Sequence, residues 1–286
     1  MSLLHPPSSL FHYTSQQNVV QLRERHEHES PFARKIALTD AEGKLMDYHD
    51  ALAVLGASSA HPGGFSITKE WMDQIQIAKE HTVLEVGCGT GRTACALKER
   101  FDCTVIGVDR NAKMIQKARR RAATQQLTLE FLQLSGESMP FSDASFHWIV
   151  AESVTVFNEL RPLLTDYYRL LKTDGIVIDV EMCASSPLPK EVFKIFEETY
   201  GARIVPTMTQ WKQHYRDAGF RSVRILRSGP VPNTPIFDED LDPISNVLLD
   251  VEEAYSEEVN QMMLKNQTVM QSYAKWLNFA VIQAIK

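Results

Sequence analysis

The segment VLEVGCGTGRT, residues 83–93, places three glycines at alternate positions directly after a hydrophobic run. Glycine has no Cβ atom, so backbone N–H groups at such a turn can approach a bound group closely. Glu85 precedes the first glycine by two residues, and Asp109 follows Glu85 by 24 residues at the end of another hydrophobic run. A carboxylate at position 85 suits a cationic group, and one at position 109 can accept hydrogen bonds from sugar hydroxyls. These spacings predict a binding site for a small ligand that carries both.

Hydrophobic runs and amphipathic segments alternate along the middle of the chain. The predicted strands are TVLEVG (82–87), CTVIGVD (103–109), LTLEFLQL (127–134), FHWIVAES (146–153) and GIVIDVE (175–181). The predicted helices between them cover residues 91–100, 111–123 and 159–171. This alternation indicates a parallel sheet covered by helices on both faces. In such sheets ligands bind at the carboxyl ends of the strands, near the point where strand order reverses, so the glycine turn is well placed for a ligand.

The glycine pattern alone leaves two cofactors open. A dinucleotide fingerprint requires G-x-G-x-x-G or its alanine variant, and the reading from Gly89 through Gly91 to Ala94 satisfies it. Glu85 favours S-adenosylmethionine instead, because a desolvated carboxylate would repel a diphosphate by on the order of several kcal/mol but would suit an amino-acid ammonium group. The loop and strand GESMPFSDASFHWIV, residues 136–150, are also not expected in a dinucleotide enzyme.

Four motifs in order resemble the class I S-adenosylmethionine-dependent methyltransferases, in particular the type 11-like, small-molecule group. They are VLEVGCGTG, GVDRNAKMIQKAR, ESMPFSDASFHWIVAES and YYRLLKTDGIVIDVE, within residues 83–180. The resemblance implies an α/β fold with a Rossmann-like, seven-stranded, mostly parallel sheet and helices on both faces. A helical N-terminal segment and a helical insertion before the last strand would be added to this core.

The resemblance also implies which residues contact S-adenosylmethionine. They are Gly63, Gly64, Glu85, Gly87, Cys88, Gly89, Gly91, Asp109, Arg110, Met114, Ser135, Gly136, Glu137 and Glu152. Glu85 and the glycine turn would surround the methionine part, Asp109 the ribose, and Arg110 with Met114 the adenine. Ser135 stands where the family usually has an acid, and a serine can still bond the adenine amino group. Gly63 and Gly64 would let the backbone close over the methionine carboxylate.

The reaction expected of such a site is in-line displacement at an activated methyl group. It requires a nucleophile held about 3 Å from the methyl carbon, and it requires no metal. A general base is needed only for a nucleophile that arrives protonated, and the candidates are Tyr48, His61, Glu152 and His214. A structural role is the favoured interpretation for each, so no catalytic residue is assigned, and the methylated atom (O, N or C) stays open.

The remaining segments predict how the chain is organised around this core. Residues 1–66 are expected to form a helical cap, 67–228 the core, 229–276 a helical insertion that serves as a substrate lid, and 277–286 the last core strand. Within the core, TKEWMDQIQIAKE predicts a helix capped by Thr68. A lid that excludes water favours a small, largely apolar substrate over a protein or nucleic-acid strand.

Composition narrows the partners further. A formal charge of −6 and a pI near 5.9 disfavour nucleic acid. The basic residues of the predicted helix 111–123 are interpreted as a solvated face; they are Lys113, Lys117, Arg119, Arg120 and Arg121. No run approaches the roughly 20 apolar residues of a membrane span, and the opening MSLLHPPSSLF lacks a basic leader region, so a cytoplasmic protein is expected. The oligomeric state stays open, and the alternatives are a nicotinamide-dependent oxidoreductase and a non-catalytic S-adenosylmethionine-binding protein.

Overall fold

The computed structural model describes residues 46–136, 139–231, 242, 244, 248–250, 254 and 256–286. Most of the predicted N-terminal cap, Glu137 and much of the predicted insertion therefore lie outside the described residues. Within them, no helix is long and apolar enough to cross a membrane.

Seven strands of the described residues form one sheet in the order β3-β2-β1-β4-β5-β7-β6. Their bounds are β1 Thr82–Val86, β2 Thr104–Asp109, β3 Glu130–Gln133, β4 Phe146–Glu152, β5 Leu171–Ala184, β6 Ser222–Pro230 and β7 Leu277–Ile285. Strands β1 to β5 are parallel, and β7 runs antiparallel between β5 and β6. The predicted fold class is confirmed. Strand order reverses between β1 and β4, so a crevice opens where these two strands end.

Helices pack on both faces of the sheet. Their bounds are α1 Tyr48–Leu55, α2 Gly64–Asp73, α3 Arg92–Phe101, α4 Ala112–Thr124, α5 Leu160–Leu170, α6 Lys190–Tyr200, α7 Met208–Asp217 and α8 Glu257–Tyr273. Successive side chains of a strand point to opposite faces, and on β1 Val83 and Leu84 belong to two different buried clusters. A sheet buried on both faces explains why these strands read as continuous hydrophobic runs.

The start of α2 differs from the prediction. The helix begins at Gly64, and its N-cap is Gly63 in the left-handed region, with φ of 82°. Thr68 therefore lies inside the helix, is fully buried and is not a cap. The prediction was wrong because a threonine hydroxyl can serve equally as a cap and as a buried donor to a distant carboxylate, and sequence does not separate the two.

The predicted solvated face of α4 is also wrong at two positions. Lys117 and Arg121 lie four residues apart on one side of the helix, and each is only 1–3% exposed. The Lys117 ammonium donates to the carbonyl oxygens of Val54 and Leu248 and lies 2.8 Å from a carboxylate oxygen of Asp250. Burial of this cation is therefore compensated by hydrogen bonds and by an ion pair.

Arg121 makes an analogous set of contacts one helical turn later. Its Nε donates to the carbonyl oxygen of Thr90, in the glycine turn, at 2.8 Å. Its terminal nitrogens bind both carboxylate oxygens of the buried Asp242. Through these two cations, α4 joins the end of α1, Asp242, Leu248 and Asp250 to the glycine turn.

Candidate functional site

The glycine turn leaves β1 at Val86 in a conformation that favours glycine. Gly87 and Gly89 have φ of 68° and 51°, in the left-handed region. A Cβ atom at position 87 would lie 2.3 Å from Cγ2 of Val154, whereas one at position 89 would have no neighbour within 4 Å. Gly87 is therefore required by close packing, and Gly89 borders open space.

A cavity of about 530 Å³ lies at the carboxyl ends of β1, β2 and β4. It brings together the predicted site residues Gly63, Gly64, Glu85, Gly87, Cys88, Gly89, Asp109, Arg110, Met114, Ser135, Gly136 and Glu152. Gly91 does not line it: this residue is the N-cap of α3 and approaches Ala118 and Phe131. We call the cavity surface formed by residues 85–90, 108–111, 114 and 134–136 the cofactor wall.

Glu85 is the most unusual group of the cofactor wall. Its side chain is buried, and its Oε2 atom has no hydrogen-bond partner among the described residues. Burial raises the pKa of the Glu85 carboxyl well above its usual range, and the charge of the nearby Glu152 raises it further. A buried carboxyl in this state is stabilised in its charged form by a cation. The arrangement fits a positively charged ligand group.

Asp109 ends β2 and fixes the shape of the glycine turn. Its two carboxylate oxygens accept hydrogen bonds from the backbone N–H of Gly89 at 3.0 Å and of Asn111 at 2.8 Å. Burial raises the pKa of Asp109, while these two hydrogen bonds act in the opposite direction. A carboxylate has about four lone-pair positions, so Asp109 can accept further hydrogen bonds from a ligand in the cavity.

Glu152, at the end of β4, is the centre of a buried network. Its Oε1 accepts from the Thr68 hydroxyl at 2.8 Å and from Trp71 Nε1 at 3.0 Å, and its Oε2 accepts from the Thr93 hydroxyl at 2.7 Å. His61 Nε2 lies 3.5 Å from Oε2 of the same carboxylate. The network joins α2 and α3 to β4, and it occupies Glu152 with structural hydrogen bonds.

Residues of α1, α6 and α8 line the same cavity. This second surface, which we call the covering wall, consists of Tyr48, His49, Tyr200, Asn266 and Met270. The rings of Tyr48 and Tyr200 meet edge to face at 4.9 Å, and the Tyr200 hydroxyl donates to Oδ1 of Asn266 at 2.9 Å. Of these residues, the sequence analysis considered only Tyr48, as a candidate base; no local motif marks the others.

The other candidate bases are placed differently. Burial raises the pKa of the Tyr48 phenol far above its usual value, which keeps its proton in place at neutral pH. His214 lies on α7 and does not line the cavity. Among the four candidates, only His61 combines a position in the cavity lining with a fully buried side-chain nitrogen or oxygen that has no partner among the described residues.

Comparison with known proteins agrees with this geometry. A family model described as a methyltransferase domain matches residues 83–175. An uncharacterized methyltransferase of Bacillus subtilis strain 168 is 26% identical over 242 residues, which are 85% of this chain and 100% of that protein. The chain carries a class I S-adenosylmethionine-dependent methyltransferase domain.

Other relatives of the methyltransferase domain are longer proteins. Phosphoethanolamine N-methyltransferase 3 of Arabidopsis thaliana is 29% identical over 171 residues, which are 59% of this chain and 35% of that protein. The structure of Haemonchus contortus phosphoethanolamine N-methyltransferase 2 in complex with S-adenosyl-L-methionine superposes with a TM-score of 0.68 at 16% identity, covering 84% of this chain and 57% of that chain.

A second structure, geranyl diphosphate C-methyltransferase from Streptomyces coelicolor, has a TM-score of 0.58 at 16% identity and covers 78% of this chain and 76% of that one. At this level of identity the two structural likenesses show a shared fold. The chain spans about a third of the Arabidopsis relative and little more than half of the Haemonchus chain.

Proposed function

We propose that this methyltransferase domain transfers a methyl group from S-adenosylmethionine to a small molecule held in the cavity. The observation that carries the proposal is the buried Glu85 carboxyl, whose Oε2 has no partner among the described residues. An ammonium group beside it would satisfy this oxygen and stabilise its charge, whereas a diphosphate would repel it. When bound, S-adenosylmethionine supplies an electrophilic methyl group on a sulfonium centre.

The residues of the cofactor wall fit the remaining parts of this cofactor. Asp109 has lone pairs available for ribose hydroxyls beyond its bonds to Gly89 and Asn111. Arg110, Met114, Ser135 and Gly136 line the same end of the cavity and would enclose the adenine. Gly63 and Gly64, at the start of α2, would hold the methionine carboxylate.

The covering wall supports a small methyl acceptor. Tyr48, Tyr200, Asn266 and Met270 line the same cavity as Glu85. We infer that α1 and α8, from the predicted N-terminal cap and insertion, act as a lid that excludes water from the reacting groups. A volume of about 530 Å³ lies within the range of small-molecule sites, and two of the similar proteins are named for small substrates.

Titration calorimetry with the full chain tests the cofactor assignment. The wild-type protein should bind S-adenosylhomocysteine and S-adenosylmethionine and should not bind NADH. Glu85→Gln should weaken binding about 10- to 100-fold, the loss expected for a charge-assisted hydrogen bond of about 1.5–3 kcal/mol. Glu130→Gln, an exposed substitution on β3, is the control and should leave affinity unchanged. Binding of NADH in place of the sulfonium compound would overturn the proposal.

Methyl transfer itself is tested with methyl-labelled S-adenosylmethionine and the small-molecule fraction of a cell extract. Label should appear in low-molecular-mass products and should be absent from protein and nucleic acid. Tight cofactor binding without any labelled product would instead indicate a binding protein that has no turnover.

A further inference from the structure

His61 is a buried residue in the lining of the cavity. It follows α1, and its carbonyl oxygen accepts a hydrogen bond from the Gly64 N–H at 3.0 Å, which closes the turn into α2. The residue is 9% exposed. The fold therefore holds a histidine in the lining of the same cavity as Glu85 and Tyr200.

The hydrogen bonds around His61 determine which ring nitrogen carries the proton. The Thr68 hydroxyl donates its single proton to Glu152 Oε1 at 2.8 Å. The same hydroxyl oxygen lies 3.2 Å from His61 Nε2, so it accepts a hydrogen bond from this nitrogen. Glu152 Oε2, 3.5 Å from Nε2, adds a negative charge on the same side of the ring. Nε2 therefore carries the proton, and Nδ1 has a lone pair.

Nδ1 is the unused atom of this arrangement. It is buried and has no hydrogen-bond partner among the described residues. The charge that faces the ring is that of Glu152 on β4, which also acts on the buried Glu85 of β1, while the Arg92 guanidinium of α3 binds the Ser59 hydroxyl. Once the ring accepts a proton at Nδ1, its positive charge faces the Glu152 carboxylate. A histidine oriented by a carboxylate at its second nitrogen is a common arrangement for a general base.

We propose that His61 accepts the proton of a hydroxyl group, so that the methyl acceptor is an alcohol or a phenol. This inference depends on the proposed function. As the substrate oxygen bonds to the methyl carbon, the carbon–sulfur bond breaks with its electron pair left on sulfur, and the hydroxyl proton passes to Nδ1 of His61. The reaction yields an ether, the demethylated cofactor and a protonated imidazole, so charge and atoms balance. Amine, thiolate and carbanion acceptors can attack without this proton transfer.

The protonation state of His61 can be measured without any substrate. In ¹⁵N NMR spectra of the full chain saturated with S-adenosylhomocysteine, the His61 signals, assigned by their absence in His61→Gln, should show a protonated Nε2 and an unprotonated Nδ1. A proton on Nδ1 in the neutral ring would overturn the proposal, because that atom could then not accept the proton of the substrate hydroxyl.

The acceptor class is tested with a panel of phenols, catechols, aliphatic alcohols and thiophenols. The thiophenols are ionised at the assay pH and need no base. Glutamine can replace the Nε2 donor of histidine but has no basic nitrogen at the Nδ1 position. We expect His61→Gln to lower transfer to the hydroxyl acceptors about 100-fold or more, to keep transfer to thiophenols within threefold, and to leave S-adenosylhomocysteine affinity unchanged. His214→Gln, a histidine substitution outside the cavity, should change none of these values.

Three results would overturn the inference. An equal loss with phenols and thiophenols, or a loss of S-adenosylhomocysteine affinity in His61→Gln, would indicate a structural histidine. A wild-type protein that binds S-adenosylhomocysteine but methylates no hydroxyl compound would exclude the proposed acceptor class and leave the cofactor site standing. Failure of the proposed function differs from all three, since the wild-type protein would then either not bind S-adenosylhomocysteine or bind it and transfer label to no small molecule, thiophenols included.

Discussion

The cofactor wall and the covering wall enclose the same cavity but are built in different ways. The cofactor wall comes from short connections at neighbouring strand ends, where backbone conformation and two acids determine its shape. The covering wall consists of side chains from α1, α6 and α8, which are separated by more than 50 residues along the chain. Short turns on a packed sheet form a rigid surface, whereas packed helical side chains can repack as a ligand enters. A rigid cofactor wall suits a ligand that is always the same, and an adaptable covering wall suits ligands that differ in shape.

Gly87→Ala is the substitution that we expect to disturb the cofactor wall most while leaving the covering wall unchanged. The new Cβ atom would meet Val154 at 2.3 Å, and the residue would stay in the left-handed region, so we expect a combined cost of about 3 kcal/mol. If the turn shifts to relieve this strain, affinity for S-adenosylhomocysteine should fall about 100-fold by calorimetry.

Gly201→Ala is the matched control for this substitution. Its φ of 72° is similar, but a Cβ atom there would have no neighbour within 4 Å, and the residue does not line the cavity. It should cost about 1 kcal/mol in denaturant unfolding and leave affinity unchanged. Equal effects of the two substitutions on affinity would show that the glycine turn does not shape the cofactor site.

Tyr200→Phe tests the covering wall with a smaller change. It removes the hydroxyl that donates to Asn266, so the free energy of unfolding should fall by about 1 kcal/mol. Affinity for S-adenosylhomocysteine should stay within twofold of the wild type, because the cofactor wall is untouched. Tyr168→Phe, outside the cavity, should change stability by less than about 0.5 kcal/mol. A tenfold loss of cofactor affinity in Tyr200→Phe would mean that the two walls are not separable.

The smallest expected effect is a proton released from Glu85 on binding. The pKa of this carboxyl is raised in the free protein, and a neighbouring cation lowers it, so binding of S-adenosylhomocysteine near pH 7 should release a fraction of a proton. Calorimetry in two buffers of different ionisation enthalpy measures this release. It should vanish in Glu85→Gln and persist in Tyr200→Phe.

The same group affects the stability of the free protein. The pKa of Glu85 is higher in the folded state than in the unfolded chain. Its contribution to the free energy of unfolding is therefore fully present below about pH 4.3, the pKa of an unfolded-chain glutamate, and is lost as the pH rises through the pKa of the folded state. The stability of Glu85→Gln relative to wild type should therefore increase with pH. A constant difference across pH 4–9 would contradict the burial of this carboxyl.

The fold and the cofactor wall could be predicted to the extent that local sequence determines them. Strand periodicity and the alternation with helices gave the parallel core, and the spacing of Glu85, the glycines and Asp109 indicated residues that the structure brings to one cavity. Their role in binding S-adenosylmethionine stays a prediction. Gly91, grouped with them, instead packs against Ala118 and Phe131.

The covering wall and the Glu152 network depend on contacts between distant segments. Tyr200 and Asn266 meet only because α6 packs on α8, and no spacing in either helix reveals it. Thr68 resembled a helix cap because its partner, Glu152, lies 84 residues away. Lys117 and Arg121 resembled solvated cations because the carbonyl and carboxylate groups that compensate their burial come from elsewhere in the chain.

The two buried cations of α4, Lys117 and Arg121, limit which parts of this chain could be exchanged with those of a similar protein. Arg121 binds both Thr90 of the glycine turn and Asp242. Lys117 binds the carbonyl oxygens of Val54, near the end of α1, and of Leu248, and it pairs with the carboxylate of Asp250. Asp242 and residues 248–250 therefore cannot be moved independently of α4. Transplanting them onto another sheet of this type without both cations would leave the Asp242 carboxylate buried and uncompensated.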